Sequence, residues 1–444
     1  MRQERSTVRR AGGRSRCART SGVSSARTKP AHATLGVPKE TKTLEGRVAL
    51  TPDGVREFER LGVEVFVETH AGEAASISDS AYEAAGATIV KTAAEAWGQS
   101  MVVKVKEPTE KEFAFLRKDL TLFTYLHLAA YPKVAKALIE KGTTGVAYET
   151  VQLADGSLPL LAPMSEIAGR LATQAGAYYL QRPYGGRGVL MGGAPGVRPA
   201  KVMVIGAGNV GWNSARIAAG MEAEVTILDK NLDRLRFVDQ IHQGRITTLA
   251  SNRGAIERTI AEADLVIGAV LIAGARAPIV VTQDMVKSMK KGSVIVDVAI
   301  DQGGCVETMR ETTHTEPVYE MHGVIHYAVG NMPGAVPNTS TYALTNATLP
   351  YQLSLATLGA RDAAKADSAM ALGVNTVGGG LSANPLFLAS LFYANFLTRM
   401  DGPRCQHLTG QVPENPLPGR RWLGESFERA ARRQSSVHAG SQQP

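Results

Sequence analysis

Lys201-Val-Met-Val-Ile-Gly206-Ala-Gly208-Asn-Val-Gly211 is the stretch whose reading decides the fold. Val202 to Ile205 read as a buried strand, and three glycines follow it at once in G-x-G-x-x-G spacing. A helix-like Trp212–Met221 comes next, then a second strand-like run, Glu224–Leu228, ending in Asp229. Each glycine answers a separate need. Gly206 permits the tight strand-to-helix turn, Gly208 lets the backbone approach a pyrophosphate, and Gly211 lets helix and strand pack closely. The helix N-terminus, with its free N–H groups, then receives the anion. A bare glycine triplet is weak evidence, but strand, glycines, helix, strand and terminal acid together read as a dinucleotide site.

Asp229 sharpens that reading. A carboxylate about 20 residues beyond the glycines can accept hydrogen bonds from a ribose diol and would repel a 2′-phosphate, which favours NAD over NADP. Lys230 next door opposes that preference in part. Two later strand-like runs, Ala263–Val270 and Ser293–Val298, should end at the same crevice, since ligands of open parallel sheets bind outside the carboxyl ends of the strands. The second runs into Asp301-Gln-Gly-Gly, an acid placed where a nicotinamide would lie. Taken alone, Asp301 could equally cap a turn.

Upstream the chain alternates again. Helix-like Gly54–Leu61 precedes strand-like Glu64–Val67, and Ala81–Ala85 precedes Thr88–Val90; Met101–Lys106 and Leu120–Tyr125 are further strand candidates. This alternation predicts an α/β fold with parallel sheets. A helix over Ser165–Gln181 and a glycine-rich Gly185–Gly196 separate this series from the Lys201–Val298 series and mark a domain change. Pro333–Pro350, rich in Pro, Ser, Thr and Asn, reads as a return linker capping a helix. The Gly-, Pro- and Arg-punctuated residues 401–444 read as a poorly ordered tail.

Composition bounds the rest. The 444 residues suggest two or three domains. The net charge of +8 sits wholly in residues 1–34, where eight Arg and one Lys face the single acid Glu4. A basic tail on a neutral body gives no basic groove, so nucleic-acid binding is not expected. That disordered extension reads as a transit peptide, a consequence of start-site choice, or a solvated tail; it lacks the apolar core of a secretory signal. The nearly uncharged Pro385–Leu397 is too short to cross a bilayer, so no membrane association is expected. Three scattered cysteines make neither a disulfide framework nor a zinc site. No metal and a reducing compartment are expected.

In the N-terminal part the candidates are Arg47, Lys106 and His127. Each alone has a bland reading: a surface cation, a solvated lysine, a satisfied core histidine. Lys104 and Lys106 alternate and should share one face of a strand. Together the three residue types meet the needs of hydride transfer on an amino or keto acid: a cation for the carboxylate, a second for the carbonyl, and a group that moves a proton near neutrality.

The blocks that carry these residues resemble alanine dehydrogenase. They are Leu35-Gly-Val-Pro-Lys-Glu, Arg47-Val-Ala-Leu-Thr-Pro, Lys104-Val-Lys-Glu-Pro, Tyr125-Leu-His-Leu-Ala-Ala, Leu161-Ala-Pro-Met-Ser-Glu, Gly186-Arg-Gly-Val-Leu-Met-Gly-Gly and Asp301-Gln-Gly-Gly-Cys, with Asn331-Met-Pro-Gly-Ala-Val-Pro and Thr339-Ser-Thr-Tyr-Ala-Leu-Thr-Asn-Ala-Thr. The resemblance runs in order from about Leu35 to Gly378. It implies NAD-dependent, reversible deamination of L-alanine to pyruvate and ammonia by a cytoplasmic homohexamer.

It also implies two Rossmann-like domains: residues 161–337 for NAD, and residues 35–160 with 338–400 for substrate. Arg47 and Lys106 would then bind substrate, His127 would be the acid/base, and Asp301 would assist at the nicotinamide. Ser165, Gly206, Gly208, Gly211, Asp229, Arg234, Ser251, Val270, Leu271, Asn331 and Met332 would line the cofactor site. Three features depart from the family pattern: Leu44 replaces a usual Asn before Glu45, the first 34 residues have no counterpart, and the sequence drifts beyond Gly378. Related readings are the NAD-binding subunit of a proton-translocating transhydrogenase, a family that lacks the histidine found here at 127, a saccharopine-dehydrogenase-like enzyme, and a catalytically dead NAD-binding protein.

Overall fold

The structure, a computed structural model, describes residues 30–270 and 277–382. Six strands form the body of the first sheet: β1 (Thr34–Val37), β2 (Glu64–Glu68), β3 (Thr88–Val90), β4 (Met101–Val103), β5 (Thr121–Thr124) and β6 (Thr144–Ala147). Seven form the second: β7 (Lys201–Ile205), β8 (Glu224–Asp229), β9 (Ile246–Ala250), β10 (Leu265–Gly268), β11 (Val294–Asp297), β12 (Val318–Met321) and β13 (Val324–Tyr327). The chain then returns to the first sheet as β14 (Val374–Val377), antiparallel to β6, and β15 (Gly380–Leu381).

Both sheets share one plan. The parallel cores run β3-β2-β1-β4-β5-β6 and β9-β8-β7-β10-β11-β13, so each reverses its strand order once, between β1 and β4 and between β7 and β10. Such a reversal opens a crevice at the carboxyl ends of the strands. The fully buried runs Val202–Ile205 and Leu265–Gly268 suit strands covered by helices on both faces.

Local chemistry sets the element ends. The Pro52–Leu61 helix starts where the Thr51 hydroxyl accepts from the Gly54 N–H and Pro52 presets the first turn, and Gly62 closes it at φ 77°. The expected strand Met101–Lys106 stops at Val103, because Lys104 turns into a buried ion pair with Glu40 and Glu112 at 3.1 and 2.9 Å. The expected helix Ser165–Gln181 runs Ala162–Tyr179.

The reading of Pro333–Pro350 as a linker is wrong over most of its length. A helix spans Pro337–Ala366, with Pro350 inside it and a break in helical geometry at Gly359. Its hydroxyls satisfy themselves locally: Thr345 Oγ1 donates to Thr341 O at 2.8 Å, and Ser340 Oγ to Pro333 O at 2.7 Å. A polar composition is therefore compatible with a buried helix. This helix ties onto the first sheet's layer, where Gln352 Nε2 donates to Ala49 O at 3.1 Å.

The basic extension was expected to run through residue 34, but β1 already begins at Thr34. The N–H groups of Ala31 and His32 donate to Thr357 O and Ala356 O. Residues 1–29 and 383–444, which include the expected tail, lie outside the described residues. Among the described residues no helix is long and apolar enough to cross a membrane, and no group of His, Cys, Asp and Glu could hold a metal ion.

Candidate active site

The glycine turn fits its expected work. Gly206 holds φ 103°, in the left-handed region, and a Cβ there would lie 2.5 Å from Ala269 O. A Cβ on Gly211 would lie 1.7 Å from Gly206 O, so the helix could not pack on β7 with any other residue. Gly208 is different. A Cβ there would meet only Arg234 Nη1, at 3.8 Å, which leaves room for a ligand over the first turn of the Asn209–Gly220 helix. These residues fit a dinucleotide.

Asp229 ends β8 and is 8% exposed. Its carboxylate accepts from Ala207 N at 2.6 Å and from Asn231 N at 2.7 Å, so it pins the glycine turn. Each oxygen keeps a second acceptor direction. Arg234 Nη1 stands 3.7 Å away. Ser251 follows β9 and donates its N–H to Asp229 O. Val270 follows β10, its N 3.4 Å from a Cβ on Gly206. Leu271 lies outside the described residues. Met332 is 4% exposed and belongs to the core of the second sheet.

On the first sheet Lys106 follows β4 and His127 follows β5, beside the strand-order reversal. Arg47 sits in irregular chain between β1 and the Pro52–Leu61 helix. It is no surface cation, being 2% exposed. Its Nε donates to Glu45 Oε1 at 2.6 Å, its Nη2 pairs with Glu45 Oε2 and donates to Asn331 Oδ1 at 2.9 Å, and its Nη1 meets Met164 Sδ at 3.0 Å. A thioether is a weak acceptor. Nη1 is therefore the edge that a substrate carboxylate could take at least cost. Burial opposes ionisation of Glu45, but the hydrogen bonds and charge of Arg47 outweigh it and hold its carboxyl below the usual range.

The contact of Arg47 with Asn331, which follows β13, brings the carboxyl ends of the two sheets together. Asn331 itself sits at φ 56°. Leu44, where the family pattern has Asn, also sits in the left-handed region at φ 59° and is 53% exposed, a conformation that Asn adopts more readily than Leu. Ser165 lies in the first turn of the Ala162–Tyr179 helix, next to Met164.

Lys104 is the structural lysine of the pair. That leaves Lys106, whose Nζ has no hydrogen-bond or ion-pair partner among the described residues. Burial and the charge of Arg47 push its ammonium below the usual lysine range, against the pull of Glu45, Glu107 and Asp301. Asp301 is exposed, and its Oδ1 lies 3.3 Å from where a Cβ on Gly330 would stand, one residue before Asn331.

His127 is not sealed in a core: its side chain is 34% exposed. Its backbone takes φ 45°, and its N–H donates to Glu149 Oε1 at 2.6 Å, so a half-buried carboxylate holds the strained turn. The ring stacks on Tyr125 at 5.5 Å, and Nδ1 lies 3.3 Å from Glu107 Oε2.

Three residues escaped the sequence reading. Glu107 orients His127, Glu45 orients Arg47, and Asp297 at the end of β11 accepts from the N–H groups of Ala299, Cys305 and Val306, shaping the loop that carries Asp301. All three lie within or beside blocks already singled out, yet no spacing rule marks them.

Residues 36–168 match the family described as alanine dehydrogenase/PNT, N-terminal domain, and residues 172–384 match alanine dehydrogenase/PNT, C-terminal domain. An alanine dehydrogenase of Mycolicibacterium smegmatis is 57% identical over 348 residues, which cover 78% of this chain and 94% of that protein. A solved L-alanine dehydrogenase is 51% identical with a TM-score of 0.79, covering 81% of this chain and 99% of that one. A solved transhydrogenase from Sinorhizobium meliloti is 26% identical with a TM-score of 0.68, covering 80% and 100%. By glycine turn, clustered cations and sequence alike, the chain belongs to the alanine dehydrogenase/PNT family.

Proposed function

We propose that the chain catalyses the reversible NAD-dependent oxidative deamination of L-alanine to pyruvate and ammonia. The observation that carries this reading is the convergence of Arg47, Lys106 and the His127–Glu107 pair at one sheet's carboxyl end with Asn331 and Asp301 of the other. Bound NAD supplies the hydride acceptor. Arg47 Nη1 holds the substrate carboxylate, and Lys106, a cation without an ion-pair partner among the described residues, polarises the oxygen at the α-carbon in the pyruvate direction. Once the α-carbon is at the imine level, His127 Nε2 takes a proton from the attacking water and returns it to nitrogen as the carbinolamine collapses. Asp301 lends negative charge beside the nicotinamide position. The cleft between the sheets keeps bulk water from the hydride step.

The residues proposed for NAD are the glycine turn, Asp229, Arg234, Ser251, Val270, Leu271, Asn331, Met332 and Ser165, within a cofactor domain of residues 161–337. Residues 35–160 and 338–400 form the substrate domain. The transhydrogenase-subunit reading ranks second, since that solved relative is 26% identical against 57% for the dehydrogenase and the histidine is present. We propose further a cytoplasmic homohexamer, which rests on the family likeness; light scattering on the purified protein tests the assembly. Formation of NADH, followed by its near-ultraviolet absorbance with L-alanine and NAD, tests the activity, and its absence with active-site residues intact sinks the reading.

Cofactor choice gives a separate test. The Asp229 carboxylate lies against the glycine turn, where a 2′-phosphate would meet it at close range. Asp229→Ser is expected to weaken NAD use and to shift the NADP-to-NAD ratio of kcat/KM by about tenfold or more toward NADP, the scale of one charged hydrogen bond. Parallel kinetics with the two cofactors check it; an unchanged ratio means that the carboxylate serves only the turn.

A further inference from the structure

Among the described residues the imidazole of His127 has one hydrogen-bond partner. Nδ1 lies 3.3 Å from Glu107 Oε2, and with Nδ1–H donating there, Nε2 is left open as the base. Glu107 is buried, its side chain 4% exposed. Its other oxygen, Oε1, pairs with Lys42 Nζ, and that ammonium is fixed in turn by Tyr131, with Oη at 3.1 Å and the ring centroid at 4.5 Å. The remaining groups around the ring are Tyr125, stacked on it, and Glu149, which is engaged by the backbone N–H groups of Leu126 and His127. Lys106 precedes Glu107 in the chain.

We propose that Glu107 is the positioning residue of the acid/base, and that Lys42 fixes which oxygen of Glu107 the histidine sees. Glu107 sets the tautomer of His127 and balances the imidazolium that forms when Nε2 takes a proton, while Lys42 occupies the opposite oxygen and limits that balance. The chain after β1, β4 and β5 thus brings Lys42, Glu107 and His127 together, with one partner on each oxygen of Glu107. This rests on the proposed dehydrogenase reading. Burial opposes the ionisation of Glu107, but the hydrogen bonds from His127 and Lys42 outweigh it and draw its carboxyl down to about 2, so Glu107 stays charged across any assay range and is not itself the titrating group.

Glu107→Gln gives a sharp test because Lys42 decides how the amide lies. An ammonium can only donate, so the Gln oxygen must face Lys42 and the NH2 must face Nδ1. Nδ1 then has to accept, which moves the imidazole proton to Nε2 and removes the free base. We expect kcat for alanine oxidation to fall by about 10²-fold or more, with the Kd for NAD within about twofold of wild type.

Charge adds a readout that a merely structural role would not move. In Glu107→Gln the imidazolium loses its counter-charge, and the acidic limb of log kcat/KM against pH moves to lower pH by about one unit. Lys42→Met removes the opposing charge, so its limb moves to higher pH. Wild-type turnover and pH profile in Glu107→Gln overturn the proposal, as does loss of activity in both variants with the limb unmoved or displaced in one direction. A wild-type protein without alanine-dependent NADH formation overturns the dehydrogenase reading and this proposal together; an active wild type beside a normal Glu107→Gln overturns this proposal alone.

Discussion

Replacing His127 with alanine is expected to lower kcat for alanine oxidation by about 10²–10⁴-fold, the usual contribution of general acid–base catalysis, while leaving NAD affinity within about twofold. The histidine stands after β5, in the sheet that does not carry the glycine turn, and its contacts are with Glu107, Tyr125 and Tyr131. Little packing is at stake, because the side chain is 34% exposed. The left-handed backbone at φ 45° is held by Glu149 through the main chain, which alanine leaves in place. NAD titration with steady-state kinetics decides the matter. Near-normal turnover would show that the ring is an ordinary packed histidine.

The dinucleotide half of this molecule was legible because its sequence signals are steric. A turn at φ 103° and a helix whose Gly211 would bury a Cβ 1.7 Å from a carbonyl tolerate glycine almost alone, so the residues betray the geometry. Four strands of the second sheet, β7, β8, β10 and β11, followed from there, with limits off by one or two residues where runs such as Ser293–Val298 outlast the ladder, here Val294–Asp297; β9, β12 and β13 went unmarked. Position relative to the strands was legible for Lys106, His127, Asp229 and Val270, which follow or end strands at their carboxyl side; Ser251 and Asn331 do so too, but after β9 and β13, which the sequence did not mark.

What stayed hidden depends on pairings across the fold. Glu107 is one of 41 acids, and nothing local announces that the chain after β1 delivers Lys42 to one of its oxygens and the chain after β5 delivers His127 to the other. Lys104 and Lys106 look alike in sequence; Glu40 and Glu112 make the first a structural cation, while the second has no ion-pair partner among the described residues. The Pro337–Ala366 helix was misread because Thr and Ser usually signal loops. Here their hydroxyls bond back to their own helix, and burial against the Pro52–Leu61 region supplies what propensity does not.

The proposed arginine clamp carries the largest combined effect, since Arg47, proposed to hold substrate, also joins Glu45 and Asn331. Arg47→Met removes a charge-assisted carboxylate contact worth about 1.5–3 kcal/mol, so the KM for pyruvate should rise about 10–100-fold while that for NADH stays within about twofold. The same substitution strands Glu45, whose side chain is 1% exposed and keeps only the Asn331 amide, at 3.1 Å, as a side-chain partner. Breaking a buried ion pair from one side costs about 3–5 kcal/mol, which should lower Tm by roughly 3–7 °C in a protein of this size.

The two effects separate in the double variant Arg47→Met/Glu45→Gln. Gln is neutral and still meets Asn331, so the buried charge is gone and most of the lost Tm should return, yet no cation is restored and the pyruvate KM should stay high. Thermal melts and two-substrate kinetics on the single and double variants measure both. If the double variant regained pyruvate affinity along with stability, Arg47 would be a structural residue and the carboxylate would have to bind at Lys106. If the single variant raised both KM values equally, the loss would lie in the joining of the two sheets' carboxyl ends through Asn331, and the clamp assignment would fall.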